Sequence, residues 1–163
     1  MKNGEVKTHT ISVLLANKFG VLARVAGLFS GRGYNISSLT VNSTHNPEIS
    51  QMTIVTSGDE AVLEQIDKQL RKLVDVIEVS DLTGANFVER DMAMVRVKAD
   101  TPERKAQLIQ LVTIFDGKFV SVNPTVLGIE VSGRSDKIDN FIEMVKDFGI
   151  LEMARSGRVA IPR

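Results

Sequence analysis

Apolar and polar residues alternate over Thr8–Ala16, where Ile11, Val13 and Leu15 interleave with Thr10, Ser12 and Leu14. A period of two predicts a strand. The period then changes: Leu22, Val25 and Phe29 fall on one stripe of a helix that starts near Gly20, with Val21 and Leu28 flanking it. Gly31 and Gly33 end that helix, and Tyr34-Asn35-Ile36 opens a second strand over about Asn35–Ser43. Thr44-His45-Asn46-Pro47-Glu48 is a turn signal, and Ile49–Ser57 is a third extended run. Gly58-Asp59-Glu60 begins a second helix with acids in its first turn. Its buried stripe is Leu63, Ile66, Leu70 and Leu73, and a fourth strand over Asp75–Leu82 completes a βαββαβ unit.

Thr83-Gly84-Ala85-Asn86 is a polar break, so the expected domains are residues 1–84 and 85–163. The pattern then repeats. Arg90–Ala99 alternates as a strand, and Thr101-Pro102-Glu103 has the cap, proline and acid of a helix start. Leu108, Leu111, Val112 and Phe115 give that helix its apolar face. Extended runs around Phe119–Val122 and Val126–Val131 follow, then a helix and a last strand over Ile150–Arg155. Ile138, Phe141, Val145 and Phe148 of the final helix reproduce the spacing of Leu63, Ile66, Leu70 and Leu73. The expected fold class is therefore α+β: two tandem ferredoxin-like βαββαβ domains, each an antiparallel sheet with two helices on one face. The uncovered sheet face and the edge strands predict a second copy of the chain as partner, hence a homodimer.

Composition removes several function classes. The 163 residues contain no cysteine, which excludes disulfides, thiolate catalysis and cysteine metal sites. Twenty basic residues balance twenty acidic ones, and aromatics are only 5%. That argues against phosphate-neutralising or base-stacking nucleic-acid surfaces. Met1–Lys7 is polar without a signal-peptide core, and no apolar run approaches spanning length, so no membrane partner and a cytoplasmic setting are expected.

Candidate chemistry concentrates in Asn17-Lys18-Phe19-Gly20. A helix start carries unpaired N–H groups and a partial positive charge, which suits a carboxylate or phosphate. Asn17 can cap those donors or turn its amide to a ligand, and Gly20 lets a ligand approach the backbone. Elsewhere the candidates thin out. Gly27, Gly31 and Gly33 lie at the wrong end of their helix for phosphate, and no Lys-Ser/Thr follows. His9 reads as an edge or interface residue and His45 as a turn residue, too far apart for a metal site or a triad. Asp59/Glu60 and Glu89/Asp91 do not form a catalytic dyad. Arg96, Lys98, Arg104 and Lys105 read as solvated surface, and Arg155 and Arg158 either as a basic tail able to dock on an acidic partner or as a frayed end. No catalytic residue and no metal ligand is assigned.

The stretch LLANKFGVLARVAGLFSGRGYNISSLTV resembles the signature of the regulatory (small) subunits of acetolactate synthase, also called acetohydroxyacid synthase. The resemblance continues through Gln51–Ile54 and Leu63–Leu73 and reappears at Ala154-Arg155-Ser156-Gly157. It implies an N-terminal ACT domain that binds valine, with leucine and isoleucine as further candidates, between two subunits. It also implies a partner, the catalytic (large) subunit, which carries thiamine diphosphate, Mg and FAD, with no cofactor in this chain. By the same resemblance the effector site comprises Asn17, Gly20, Val21 and Leu22, with Asn35 and Ile36 from the neighbouring subunit. Lys18 departs from the pattern, since relatives often carry an acid there. A free-standing amino-acid sensor for another enzyme is the alternative expectation.

Overall fold

The computed structural model describes residues 6–163, so the polar stretch Met1–Glu5 lies outside the described residues. Two compact units divide the chain: the residues up to Val88 together with Arg158–Arg163, and Glu89–Gly157.

In the first unit, β1 (Lys7–Ala16), α1 (Val21–Gly31), β2 (Ile36–Ser43), β3 (Ile49–Gly58), α2 (Glu60–Arg71) and β4 (Val76–Asp81) follow the expected βαββαβ order. The antiparallel sheet runs β2-β3-β1-β4. The predicted alternation fills the core. Ile11, Val13 and Leu15 of β1, with Met52 and Ile54 of β3, lie under Val25 and Phe29 of α1 and Ile66 and Leu70 of α2. Each such side chain contributes about 1.5–3 kcal/mol by leaving water.

The second unit repeats the order with most of β5 (Phe87–Lys98), then α3 (Pro102–Ile114), β6 (Lys118–Val122), β7 (Val126–Gly133), α4 (Ser135–Gly149) and β8 (Ile150–Arg155). Its sheet runs β6-β7-β5-β8, over a separate core around Val95, Val97, Leu108, Ile129, Ile138 and Phe141.

Four expectations need correction. The division at Gly84/Ala85 falls four residues before the observed one, because the polar break is a turn of the first unit: Thr83 N donates to Asp81 Oδ1 at 2.9 Å and Ala85 N to Leu82 O at 3.0 Å. Residues 158–163 belong with the first unit, where a short further strand, β9 (Val159–Pro162), was not foreseen. That segment covers part of the sheet face assigned to a second copy. Arg158 N donates to Ser38 Oγ at 3.3 Å, Arg158 Nη1 to Thr10 Oγ1 at 2.7 Å, and Ala160 N to Thr53 Oγ1 at 3.3 Å. Thr10 and Thr53 are buried as a result. Finally, His9 is neither edge nor interface: β1 is an interior strand and His9 is 2% exposed.

Candidate ligand site at the start of α1

The loop from β1 to α1 is fixed by backbone bonds to segments distant in sequence. Ala16 N donates to Asp75 O, and Asn17 N to Glu48 O, both at 2.8 Å. The Asn17 side chain follows, its Nδ2 donating to Pro47 O at 2.9 Å in the β2–β3 turn. Asn17 is therefore not the helix cap. Gly20 holds that position at φ 82°, a left-handed conformation that glycine adopts without a Cβ penalty, and it offers no side-chain cap. Among the described residues the N–H groups of Leu22 and Ala23 find no acceptor. The first turn also carries no acid to complement the helix dipole.

Beside this helix end is a cavity of about 270 Å³ lined by Asn17, Lys18, Val21, Leu22, Asn42 and Ser43, among others. Val21 is buried beneath it and Leu22 is half exposed. Asp75 steadies the loop from the side, with Arg24 Nη1 at 3.0 Å and Lys18 Nζ at 3.9 Å from its carboxylate. Chemically the place offers free N–H donors and positive dipole for a carboxylate, and apolar walls for an aliphatic side chain.

Within one chain the expected site residues fall in two separate places. Asn17, Gly20, Val21 and Leu22 come together, whereas Asn35 and Ile36 sit at the far end of β2. There the Thr56 hydroxyl donates to Asn35 O, and Ile36 packs against the core. Asn42 and Ser43, which line the cavity, were missed in the sequence: no local pattern marks the end of β2 as facing the β1–α1 loop.

Asp91 was passed over as well, and Arg155 is not a free tail. In the second unit Arg155 Nη2 lies 2.6 Å from Asp91 Oδ2 and Arg155 Nη1 2.6 Å from Asp139 Oδ1. Ser135 Oγ also approaches the buried Asp91 carboxylate, at 3.3 Å. Burial works against the Arg155 charge, but its hydrogen bonds to Asp91 and Asp139 outweigh it and raise the guanidinium pKa further. The arginine that the sequence motif exposes is spent inside its own unit.

Among the described residues no group of three His, Asp or Glu side chains converges to hold a metal ion, and no helix is long and apolar enough to cross a membrane. The βαββαβ unit with an open first-helix terminus has the architecture of an ACT-type domain. A family model for the ACT domain of acetohydroxyacid synthase small subunits matches residues 11–78, and one for the small subunit of acetolactate synthase matches residues 90–163. The probable acetolactate synthase small subunit of Methanothermobacter thermautotrophicus is 50% identical over 98% of this chain and 95% of its own. The acetolactate synthase isozyme 3 small subunit of Salmonella typhimurium is 49% identical over 94% of each. The crystal structure of the acetolactate synthase small subunit from Thermotoga maritima superposes with a TM-score of 0.87 at 41% identity, covering 96% of this chain and 98% of that one. The chain belongs to the acetolactate synthase small-subunit family.

Proposed function

We propose that this chain is the non-catalytic regulator of an acetolactate synthase. It activates the catalytic subunit, which carries thiamine diphosphate, Mg and FAD, and renders it inhibitable by a branched-chain amino acid, valine foremost. The observation that carries the reading is the open start of α1: unpartnered Leu22 and Ala23 N–H groups beside a cavity with Asn17 and apolar walls. The effector carboxylate meets the helix N–H groups, the Asn17 amide holds the polar end, and Val21 faces the isopropyl group. Selectivity among valine, leucine and isoleucine is modest, since one methylene in an apolar pocket is worth about 1–3 kcal/mol.

The separation of Asn35 and Ile36 from the cavity supports a shared site in a homodimer. β2 lies at an edge of the first unit's sheet, the position at which a further strand can pair. Antiparallel pairing of β2 with its own copy would bring the Ile36 end of one protomer toward the end of β2 that borders the cavity in the other. Effector bound across that seam favours one subunit arrangement while the catalytic subunit is more active with the other. Couplings of this kind are about 1–3 kcal/mol and reciprocal in binding.

Calorimetric titration of valine into the purified chain tests the reading, with Asn35→Ala alongside. Saturable binding that the variant loses, together with valine inhibition of the reconstituted enzyme, is expected. Binding that survives Asn35→Ala removes the shared site. If the chain binds valine but neither co-purifies with nor activates a catalytic subunit, it is a free-standing sensor instead.

A further inference from the structure

Ser50 is 5% exposed, lines the cavity beside the start of α1, and makes no side-chain hydrogen bond among the described residues. Strand register puts it there. Met52 and Ile54, two and four residues further along β3, are core residues on the side of the sheet that the helices cover, and a period of two sets Ser50 on that same side. It pairs with Leu15 of β1 and Ser43 of β2, which also line the cavity. The helix-facing stripe of β3 therefore ends on a hydroxyl. Its Oγ keeps accessible surface, in contrast with the enclosed Nδ1 of His9. A hydroxyl buried without a partner costs free energy that an alanine would not, and a ligand that bonds it removes that cost.

The open end of α1 supplies donors only, so acceptors have to come from the other walls. Asn17 Nδ2 is spent on Pro47 O at 2.9 Å, and its Oδ1 remains to accept. Asn42 Oδ1 already accepts from Ser43 N at 2.8 Å, and the Ser43 hydroxyl leans on the same oxygen at 3.5 Å. Asp75, which steadies the loop, is engaged by Arg24 and Lys18. That leaves Ser50 Oγ and Asn17 Oδ1 as open acceptors in the cavity that holds the α1 donors.

We propose that Ser50 Oγ, together with Asn17 Oδ1, seats the ammonium group of the effector and so makes the site selective for an α-amino acid over a carboxylate of the same shape without the amine. The inference rests on the effector reading above and supplies the group that recognises the amine. Helix N–H groups and apolar walls hold a branched carboxylate equally well with or without an amine, so the discrimination falls to the acceptors. A serine hydroxyl has two lone pairs to offer an ammonium, and hydrogen bonds from a charged donor are the stronger kind. Neutral oxygens do this without setting a negative charge beside the effector's own carboxylate.

The test is calorimetric titration of the whole chain, wild type and Ser50→Ala, with valine and with isovalerate, which keeps the carboxylate and the isopropyl group and lacks the amine. Valine should bind the variant about tenfold more weakly, and isovalerate should bind the wild type weaker than valine by about tenfold or more. The melting temperature of ligand-free Ser50→Ala should equal or exceed that of the wild type, because the substitution removes a buried hydroxyl that has no partner. A lowered melting temperature assigns the hydroxyl a structural role and overturns the proposal. Equal valine affinity in the two forms, isovalerate binding as tightly as valine, or an equal loss for both ligands in the variant overturns it as well and leaves the effector reading standing. A wild-type chain that does not bind valine overturns both.

Discussion

The two units share one order of elements and differ most at the start of their first helices. In the second unit Thr101 Oγ1 accepts from Arg104 N at 3.2 Å, Pro102 occupies the first turn where no N–H is needed, and Glu103 complements the dipole. In the first unit Gly20 leaves the corresponding donors of α1 open, with a cavity beside them. α2 is closed in the manner of α3, by Asp59 accepting from Val62 N at 2.9 Å. One fold thus carries helix ends with and without a side-chain cap: α1 and α4 lack one, and α1 faces a cavity with an amide at its rim. An open helix terminus offers donors to a ligand only where a cavity adjoins it.

Variants can break this contrast, and the largest effect lies outside the site. Arg155→Met strands the Asp91 carboxylate, whose side chain is 2% exposed, and should cost about 3 kcal/mol of stability in denaturant unfolding. Valine affinity should not change. Loss of valine binding in that variant would tie the second unit's clasp to the site.

Next comes Gly20→Asp, which sets a negative charge where the effector carboxylate belongs. Valine binding should fall at least a hundredfold by calorimetry, since charge-assisted hydrogen bonds are each worth about 1.5–3 kcal/mol. A side chain at φ 82° also costs about 1 kcal/mol, and Gly20→Ala, which carries that strain without the charge, separates the two.

Thr101→Ala opens the sealed helix. About 1 kcal/mol of stability should be lost in thermal or denaturant unfolding, with no gain of ligand binding, because the cavity of about 190 Å³ beside α3 is lined by Lys105, Ile109, Phe119, Val122 and Leu127 and by none of Thr101–Glu103. An acquired valine affinity would show that an open terminus suffices by itself. Smallest is Lys18→Ala: at 3.9 Å from Asp75 and 71% exposed, the ion pair should be worth less than about 0.5 kcal/mol in stability, and valine affinity should shift little.

Half of the site was legible in the sequence and half was not, for a physical reason. Gly20, Val21 and Leu22 are contiguous, so the loop-to-helix pattern places them together before any tertiary contact forms. Asn42 and Ser43 join them only through the pairing of β2 with β3 and of β3 with β1. Asn17 has a capping residue's chemistry and is diverted by Pro47, thirty positions away. His9 looked like an edge residue because periodicity along one strand says nothing about how many strands flank it.

By itself the sequence determined the two βαββαβ units, their core stripes, the cap of α3 and the family, because periodicity, caps and turn residues act within a few positions along the chain. Only the tertiary structure decided that Arg155 clasps Asp91, that Arg158 and Ala160 lie on the first unit's sheet, and that Asn17 points to a turn. Those contacts join residues from 30 to 148 positions apart. Their partners are selected by strand register and by the geometry of burial, which local pattern does not encode.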